Sequence, residues 1–520
     1  MRSTHTQSLV LFSGDEALAQ GAFEAGLEFA AGYPGTPSTE IIEHLAQFPE
    51  VNVQWSVNEK VAFEVAYAAA IGGKRSMYVS KHVGLNVAMD PLMTSSYVGV
   101  NAGFVIVVCD DPGMHSSQNE QDTRLFARAA NVPLLEPSSP AEAKEFVKEA
   151  FAISERFDIP VIVRLTTRIC HSKENVELAE RHVQPTKPFT INMAKYVMVP
   201  RNALARHQDL MGRMAMIKIF SERSKLNIAQ SGKKAIAFIT SGVSYLYIKE
   251  NYPDSPILKL GMPYPFPEKK VRDFCKKYKN VYVIEELEPY LEEQMRMLRM
   301  RFKTKHPSFS VGELRPEHIP VIVSGKPKPK RIVPARPPML CLGCPHRLVF
   351  NLLKDLDVVV AGDIGCYTLG SLPPFSSLHT CLCMGAGVTF FEGLSHVFKD
   401  KKVVGVIGDS TFVHSGITGL INAAYNKAKG VVIILDNAIT AMTGGQPHPA
   451  VGTTIRNEPT KKLILEDLCR VAGADHVDVI DPTDLKSLEQ LLRQRIDEDA
   501  LSVVIVRKPC ILLVQKMKKG

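Results

Sequence analysis

The sequence predicts an α/β protein with two doubly wound parallel sheets and a smaller α/β domain between them. Three observations carry that expectation. Short apolar runs of strand length alternate with longer stretches whose apolar residues recur at helical spacing, both before residue 170 and after residue 339. The stretch "SGKPKPKRIVPARPP", residues 324–338, is rich in proline and cations and reads as a stiff, solvated linker of polyproline character. At 520 residues the chain has room for roughly three domains of about 150 residues each.

In the first large domain, residues 1–185, strands are expected at 8–12, 28–31, 51–54, 76–79, 104–109 and 160–164. The helices that stand out between them are 16–25, 59–71 and 140–157. Residues 186–231 are polar and then helical, a connector. "KKAIAFITSG" and "VYVIEEL" are strands of the small domain, 232–323. After the linker, "LDVVVAGDIG", "KKVVGVIGDS", "GVVIILDN", "ADHVDVI" and "LSVVIVRKPC" are the strands of the second large domain, 339–520.

Composition narrows the class. A hydrophobic share of 45% with 22% charged residues is ordinary globular composition and supplies several cores. The net charge of +8 is scattered or sits in the linker, with no basic face interleaved with aromatics, so no nucleic-acid partner is expected. The start, "MRSTHTQSLVLFSGDEALA", lacks the apolar core and small-residue cleavage site of a signal peptide. No apolar run approaches the ~20 residues that span a bilayer, and the expectation is a cytoplasmic protein without a membrane span.

Chemistry concentrates after the linker. The buried run 403–407 delivers Gly408, Asp409, Ser410 and Thr411 at its carboxyl end, the edge of an open α/β sheet where ligands sit. Asp409 alone could equally cap the following helix, which is expected to begin near Ser415. A second apolar run, 431–435, ends in Asp436-Asn437, so two oxygen-bearing side chains project from the ends of neighbouring strands. Hard oxygen ligands of this kind suit Mg²⁺ shared with a phosphate. Backbone N–H groups at Ser410 and Thr411, with a helix start, would cradle that phosphate. "GAGVTF" lacks the third glycine of a dinucleotide fingerprint.

Ten cysteines in a cytosolic chain point to metal ligands or buried thiols rather than disulfides. Cys109, Cys170, Cys275 and Cys469 lie in apolar or helical surroundings and read as core thiols. Cys341 and Cys344 form a C-x-x-C knuckle, and Cys366 and Cys510 stand at strand ends. Four such thiolates suit zinc or an iron–sulfur cluster.

The strand-end pattern resembles the thiamine diphosphate signature, G-D-G followed at this spacing by N-N or D-N, with Ser410 in place of the third glycine and Asp436 of the first asparagine. That resemblance implies Asp409, Asn437 and the carbonyl of Ile439 as Mg²⁺ ligands. Such an enzyme also needs a buried carboxylic acid on the aminopyrimidine ring, with its pKa raised to hold a proton near neutrality. Glu59, opening an apolar helix, is the candidate, and Glu64 one turn on is the fallback. A helix-start glutamate favoured by the macrodipole is the plain alternative.

"GYPGTPSTE", "WSVNEKVAFEVA", "SKHVGLNVAMDPL", "DDPGMHSSQNEQDTR", "CLGCPHR", "GDIGCYTLG" and "DNAITAMTGGQPHP", in that order through the chain, resemble the indolepyruvate branch of the 2-oxoacid:ferredoxin oxidoreductase family. The resemblance implies that the two large domains bind thiamine diphosphate and that a [4Fe–4S] cluster is held by Cys341, Cys344, Cys366 and Cys510. It implies roles for Thr36, Lys81 and His82 near the substrate's 2-oxoacid head, and for His115 and Arg124 at the pocket rim. Gly365, Cys366 and Thr443, Gly444 and Gly445 would line the diphosphate. Coenzyme A is the implied co-substrate, a small γ-type subunit the partner, and ferredoxin or an iron–sulfur subunit the electron acceptor. Cys381 and Cys383 fall outside the cluster pattern and are taken as pocket-wall thiols. Related subunits usually continue into a ferredoxin-like domain, whereas this chain stops ten residues after Cys510, and Leu342 stands where they carry proline. Two rivals remain at this point: a non-oxidative thiamine-dependent decarboxylase, and a zinc-stapled binding subunit.

Overall fold

A computed structural model describes residues 9–330, 338–398 and 400–518. It divides into two compact units, Met1–Arg331 and Ile332–Gly520. The expected linker 324–338 straddles that division, and residues 331–337 of it lie outside the described residues, as does the start of the chain, 1–8.

The first unit is built on a six-stranded parallel sheet in the order Asn52–Trp55, Phe29–Gly32, Ser76–Lys81, Phe104–Asp110, Val161–Thr166, Leu134–Leu135. Every residue of Ser76–Lys81 and Phe104–Asp110 is buried, as befits strands covered on both faces. Helices fill the crossovers: Glu59–Ile71 starts on the Asn58 side chain, which accepts from the Val61 N–H at 2.9 Å. Pro140–Phe157 starts after Ser139 with proline in its first turn. The chain leaves Phe29–Gly32 toward one edge and returns to Ser76–Lys81 on its other side, so the switch point of the sheet lies between these two strands.

Two sequence expectations need correction here. The first strand, Leu9–Ser13, does not join the large sheet; it pairs antiparallel with Lys173–Glu177 in a separate ribbon. Leu9 and Leu11 are more than half exposed, a one-sided pattern that a parallel sheet covered on both faces cannot use. The connector 186–231 is helical over Pro200–Arg223, but its last residues form the strand Asn227–Gln230. That strand closes the edge of a small sheet ordered Asn280–Ile284, Ile236–Thr240, Ile257–Leu260, Asn227–Gln230, antiparallel to its neighbour.

Arg124 is the third correction. It is fully buried and ties the large sheet to the small one, 2.5 Å from Asp122, 2.8 Å from Glu285 and donating to the Glu286 carbonyl at 3.0 Å. Arg164, also buried, pairs with Asp110 at 2.6 Å and with Glu136. A guanidinium with its donors consumed by buried carboxylates belongs to the interior, not to a substrate rim.

The second unit carries a five-stranded parallel sheet in the order Val358–Ala361, Lys402–Gly408, Gly430–Asp436, Leu501–Arg507, His476–Ile480. Its interior is Val, Ile and Leu from these strands with helices on both faces, including the buried Phe350 and Phe391. Among the described residues, no helix is long and apolar enough to cross a membrane.

Candidate functional site

In the second unit, Gly408 pairs with Leu435, so the strands Lys402–Gly408 and Gly430–Asp436 end side by side and deliver Asp409 and Asn437 to one place. Asp409 is buried and opens the following helix itself, six residues earlier than the sequence suggests. The helix then widens into a π-turn over Phe412–Gly416 before Ile417–Tyr425. Its carboxylate does not cap that helix in the usual way. Oδ2 accepts from the backbone N–H of Ala438 at 2.9 Å and of Asn437 at 3.2 Å, and lies 3.2 Å from His448 Nε2. Oδ1 accepts from the Ser410 N–H at 2.9 Å. Burial works against its ionisation, but the His448 imidazole beside it more than compensates, and the carboxyl is held below the ordinary value. Neighbouring Asp436 is pushed up by burial and by the Asp409 charge, while Arg507 at 2.6 Å opposes the rise.

Asn437 is buried, its Oδ1 accepting from the Ile439 N–H at 3.2 Å and its amide nitrogen 3.3 Å from His346 Nε2. Burial pushes the His346 imidazole down to about 4, so the ring is neutral and Nε2 serves as acceptor. A carboxylate, an amide oxygen and the Ile439 carbonyl are the kind of hard oxygen donors that Mg²⁺ takes. Thr411 is less available than the sequence implies: its hydroxyl accepts from Tyr367 at 3.0 Å and donates to the Ile364 carbonyl at 3.3 Å. Ser410 Oγ accepts from Thr440 Oγ1 at 2.9 Å. Thr443, Gly444 and Gly445 sit in a tight loop closed by the Thr440–Gln446 bridge, with Thr443 donating to Gln446 Oε1 at 2.6 Å. The Gly365 N–H donates to Thr368 Oγ1 at 3.0 Å, which fixes the loop ahead of Cys366.

Cys341, Cys344, Cys366 and Cys510, separated by up to 169 positions in sequence, line a single pocket whose wall also contains His346 and Asn437. The Cys510 N–H donates to the Asn437 carbonyl at 3.0 Å, so the last thiol is tied to the oxygen-ligand loop. Burial, then the neighbouring thiols, push Cys366 up to about 12. Among the described residues no three of these sulfurs lie within 4.8 Å of one another. Tetrahedral zinc with bonds of about 2.3 Å would hold its thiolates ~3.8 Å apart; a cubane spreads them wider. Cys381 and Cys383 are both exposed and do not line this four-cysteine pocket, in keeping with their place outside the cluster pattern. Cys381 Sγ instead donates to the Asp363 carbonyl at 3.5 Å.

The first unit gathers its own cluster at the carboxyl ends of the strands flanking the switch point. Lys81 is buried, and its Nζ donates to the Ser116 carbonyl at 2.7 Å and Oγ at 3.1 Å. Ser116 Oγ in turn donates to the Thr36 carbonyl at 3.1 Å, and its N–H to Asp111 at 2.8 Å. Burial pushes the Lys81 ammonium down to about 8 against the pull of Asp111. His82 Nε2 lies 3.1 Å from Asn119 Oδ1. Glu59 is buried and lies against the turn that His82 opens. A Cβ on Gly84 would stand 2.6 Å from Glu59 Oε1, so only glycine permits this approach. Glu64 is exposed and paired with Lys60, and His115 is exposed, so neither joins the cluster. The residues that position Lys81 and His82 (Asp111, Ser116 and Asn119) were not singled out from sequence. They lie in a polar loop that follows a buried strand, the same signal that exposed Asp409.

Two family models match this chain. "Pyruvate flavodoxin/ferredoxin oxidoreductase, thiamine diP-bdg" covers residues 20–228, and "Thiamine pyrophosphate enzyme, C-terminal TPP binding domain" covers 363–506. Matches on the two parallel sheets with their loaded strand ends define the class, a thiamine diphosphate-dependent oxidoreductase of 2-oxoacids. Indolepyruvate oxidoreductase subunit IorA of Archaeoglobus fulgidus is 38% identical over 98% of this chain and 88% of that protein. The IorA of Thermococcus kodakarensis is 39% identical over 97% and 86%. The chain belongs to this IorA family. A solved 2-oxoglutarate:ferredoxin oxidoreductase from Magnetococcus marinus shares the fold, with a TM-score of 0.51 at 16% identity over 61% of this chain and 65% of that one.

Proposed function

We propose that this chain carries out the oxidative decarboxylation of an arylpyruvate such as indolepyruvate to an acyl-CoA and CO₂, passing two electrons singly through an iron–sulfur cluster. The observation that carries the reading is the shared wall: the four-cysteine pocket and the oxygen-ligand loop meet at Asn437 and His346. Asp409, Asn437 and the Ile439 carbonyl would hold Mg²⁺, with the diphosphate lined by Gly365, Cys366, Ser410, Thr411 and the Thr443–Gly445 loop. Cys341, Cys344, Cys366 and Cys510, gathered in one pocket, would hold a [4Fe–4S] cluster. Thiamine diphosphate, when bound, supplies the electron sink that lets a 2-oxoacid lose CO₂.

The chain's own residues do the rest. Glu59, buried against Gly84, would face the aminopyrimidine ring of the bound cofactor and supply the carboxyl group with which that ring exchanges a proton. Lys81 and His82, braced by Ser116 and Asn119, orient the carboxylate of the 2-oxoacid, and Thr36 borders that head group. The names of the relatives, subunits of an indolepyruvate oxidoreductase, support an arylpyruvate and a multi-subunit enzyme. A small γ-type partner and ferredoxin or an iron–sulfur subunit as electron acceptor belong to the same proposal. Coenzyme A, bound in the Magnetococcus marinus structure, is the proposed acyl acceptor. The proposed compartment is the cytoplasm.

The test is the content of anaerobically purified protein: iron, acid-labile sulfide, zinc and thiamine diphosphate per chain. About four iron and four sulfide with one thiamine diphosphate is the expected result. Thiamine diphosphate without iron overturns the redox half in favour of a non-oxidative decarboxylase.

Lys81 adds a pH dependence. Its ammonium is charged below about pH 8 and neutral above it, so the KM for the 2-oxoacid should rise as pH passes 8 while kcat changes less. Lys81→Arg, charged throughout, should flatten that rise; an unchanged wild-type KM between pH 7 and 9.5 would remove Lys81 from substrate binding.

A further inference from the structure

Behind the first unit's cluster, on residues that the reaction does not use, stands a second group of ligand-type side chains. Asp15, Cys109 and Cys170 are all buried, and one carboxylate oxygen and the two sulfurs lie within 4.8 Å of one another. They come from three elements: the helix Gly14–Glu24, the strand Phe104–Asp110 and the helix Thr167–His171. Their convergence depends on Gly14. A Cβ there would lie 2.1 Å from the Ile169 carbonyl oxygen, so only glycine lets the first helix abut the turn that carries Cys170. Apart from the Cys170 thiol beside it, neither oxygen of the buried Asp15 carboxylate has a hydrogen-bonding partner among the described residues.

Leaving a buried carboxylate without donors is costly. The surrounding charge makes matters worse. Among the described residues, the neighbours outside the trio that act most strongly on these three groups are Glu16, Glu40 and Asp110, all acidic. Four buried acids elsewhere in this unit are answered by arginine or lysine: Asp122 and Glu285 by Arg124, Asp110 by Arg164, Glu24 by Lys144. Here either protons or a metal ion must neutralise the group. Two sulfurs and one carboxylate oxygen at single-ion spacing are a donor set for a thiophilic divalent ion.

We propose that Asp15, Cys109 and Cys170 form a buried zinc site, separate from the four-cysteine pocket, that staples the first helix to the central strand of the large sheet. Zinc displaces the thiol and carboxyl protons as it binds, with no change of oxidation state. The site lies directly behind the candidate cluster: Cys109 precedes Asp110 and Asp111, and Thr167, in the Cys170 helix, donates to Asp111 Oδ1 at 2.9 Å. The ion would thus brace the loop that holds Ser116 against Lys81.

The test uses the full chain, purified anaerobically with any partner it brings. Zinc and iron are counted per chain in the wild type, in Asp15→Asn and in the double variant Cys109→Ala with Cys170→Ala. About one zinc per chain in the wild type, lost from both variants with iron unchanged, is the expected result. Unchanged iron separates this site from the cluster. Because the double variant could fold poorly, the chelator-treated wild type is also titrated with Co²⁺. Thiolate-to-cobalt absorption saturating near one equivalent, with protons released, and absent in Asp15→Asn, supports the site. Zinc that stays in both variants, or no zinc and no cobalt–thiolate absorption in the wild type, whether the two cysteines are then free thiols or a disulfide, overturns it.

Discussion

Glu59→Gln should lower kcat by about 10²–10⁴-fold, the range that a positioned acid–base group contributes, and leave the protein folded and loaded. Glutamine keeps the size of the side chain, so it still fits against Gly84, where no larger residue is tolerated. It cannot hold and release a proton. The loss of a helix-start charge costs only about 0.3–1 kcal/mol, too little to explain a fall of that size by unfolding. The measurement is kcat with the 2-oxoacid alongside thiamine diphosphate and iron per chain and the melting temperature. A variant that retains both cofactors and near wild-type turnover would return Glu59 to a helix-start residue and nothing more.

Much of the frame behind that prediction was legible from residues alone, for identifiable reasons. The helices Glu59–Ile71 and Pro140–Phe157 stand at the bounds expected from the helical spacing of their apolar residues, and the structure adds the reason for their starts: Asn58 and Ser139 cap them and Pro140 suits a first turn. The five strands of the large sheet that were expected stand within two residues of their places; the clearest, Phe104–Asp110, is the fully buried apolar run that a parallel strand covered on both faces requires. The sixth, Leu134–Leu135, is two residues long and leaves no periodicity to find. What period and propensity do not encode is partnership. Leu9–Ser13 is recognisably a strand, but its mate, Lys173–Glu177, is more than 150 residues away and polar.

The candidate site follows the same rule. Asp409, Asn437 and the four cysteines were visible because polar or thiol side chains at the ends of apolar strands have few structural reasons to be there. His448 and His346, which hold Asp409 and Asn437, were not, because a histidine in a loop declares no target until the chain is folded. Arg124 misled in the opposite direction. The resemblance placed it at a pocket rim, yet its pairing with Asp122 two residues back and Glu285 far along the chain takes it into the interior. Cys109 and Cys170 read individually as core thiols, and each is one; only their convergence on Asp15 gives them a ligand's geometry.

Cys366→Ser and Cys510→Ser should each abolish cluster retention and with it electron delivery. Removing an outer-shell partner of a metal ligand costs about 10–100-fold in affinity or activity, and removing a ligand should cost at least that. Serine preserves the local backbone: at position 510 the N–H still donates to the Asn437 carbonyl, and at 366 the turn Cys366–Ser371 starts from the Gly365–Thr368 bond, which the thiol does not make. Loss of iron would therefore come from the ligand set and not from a collapsed loop, and thiamine diphosphate content should hold near wild type. The assays divide the chemistry. Acceptor reduction coupled to acyl-CoA formation should fall to background in both variants, while any CO₂ that is still released should appear with aldehyde, since the two electrons have no outlet. If iron per chain and acceptor reduction survive both substitutions, the cluster is not held by these cysteines. If aldehyde is the main product of the wild type as well, and substitution leaves its rate unchanged, the pocket at Asn437 serves a non-oxidative decarboxylase and the four thiols have a structural role.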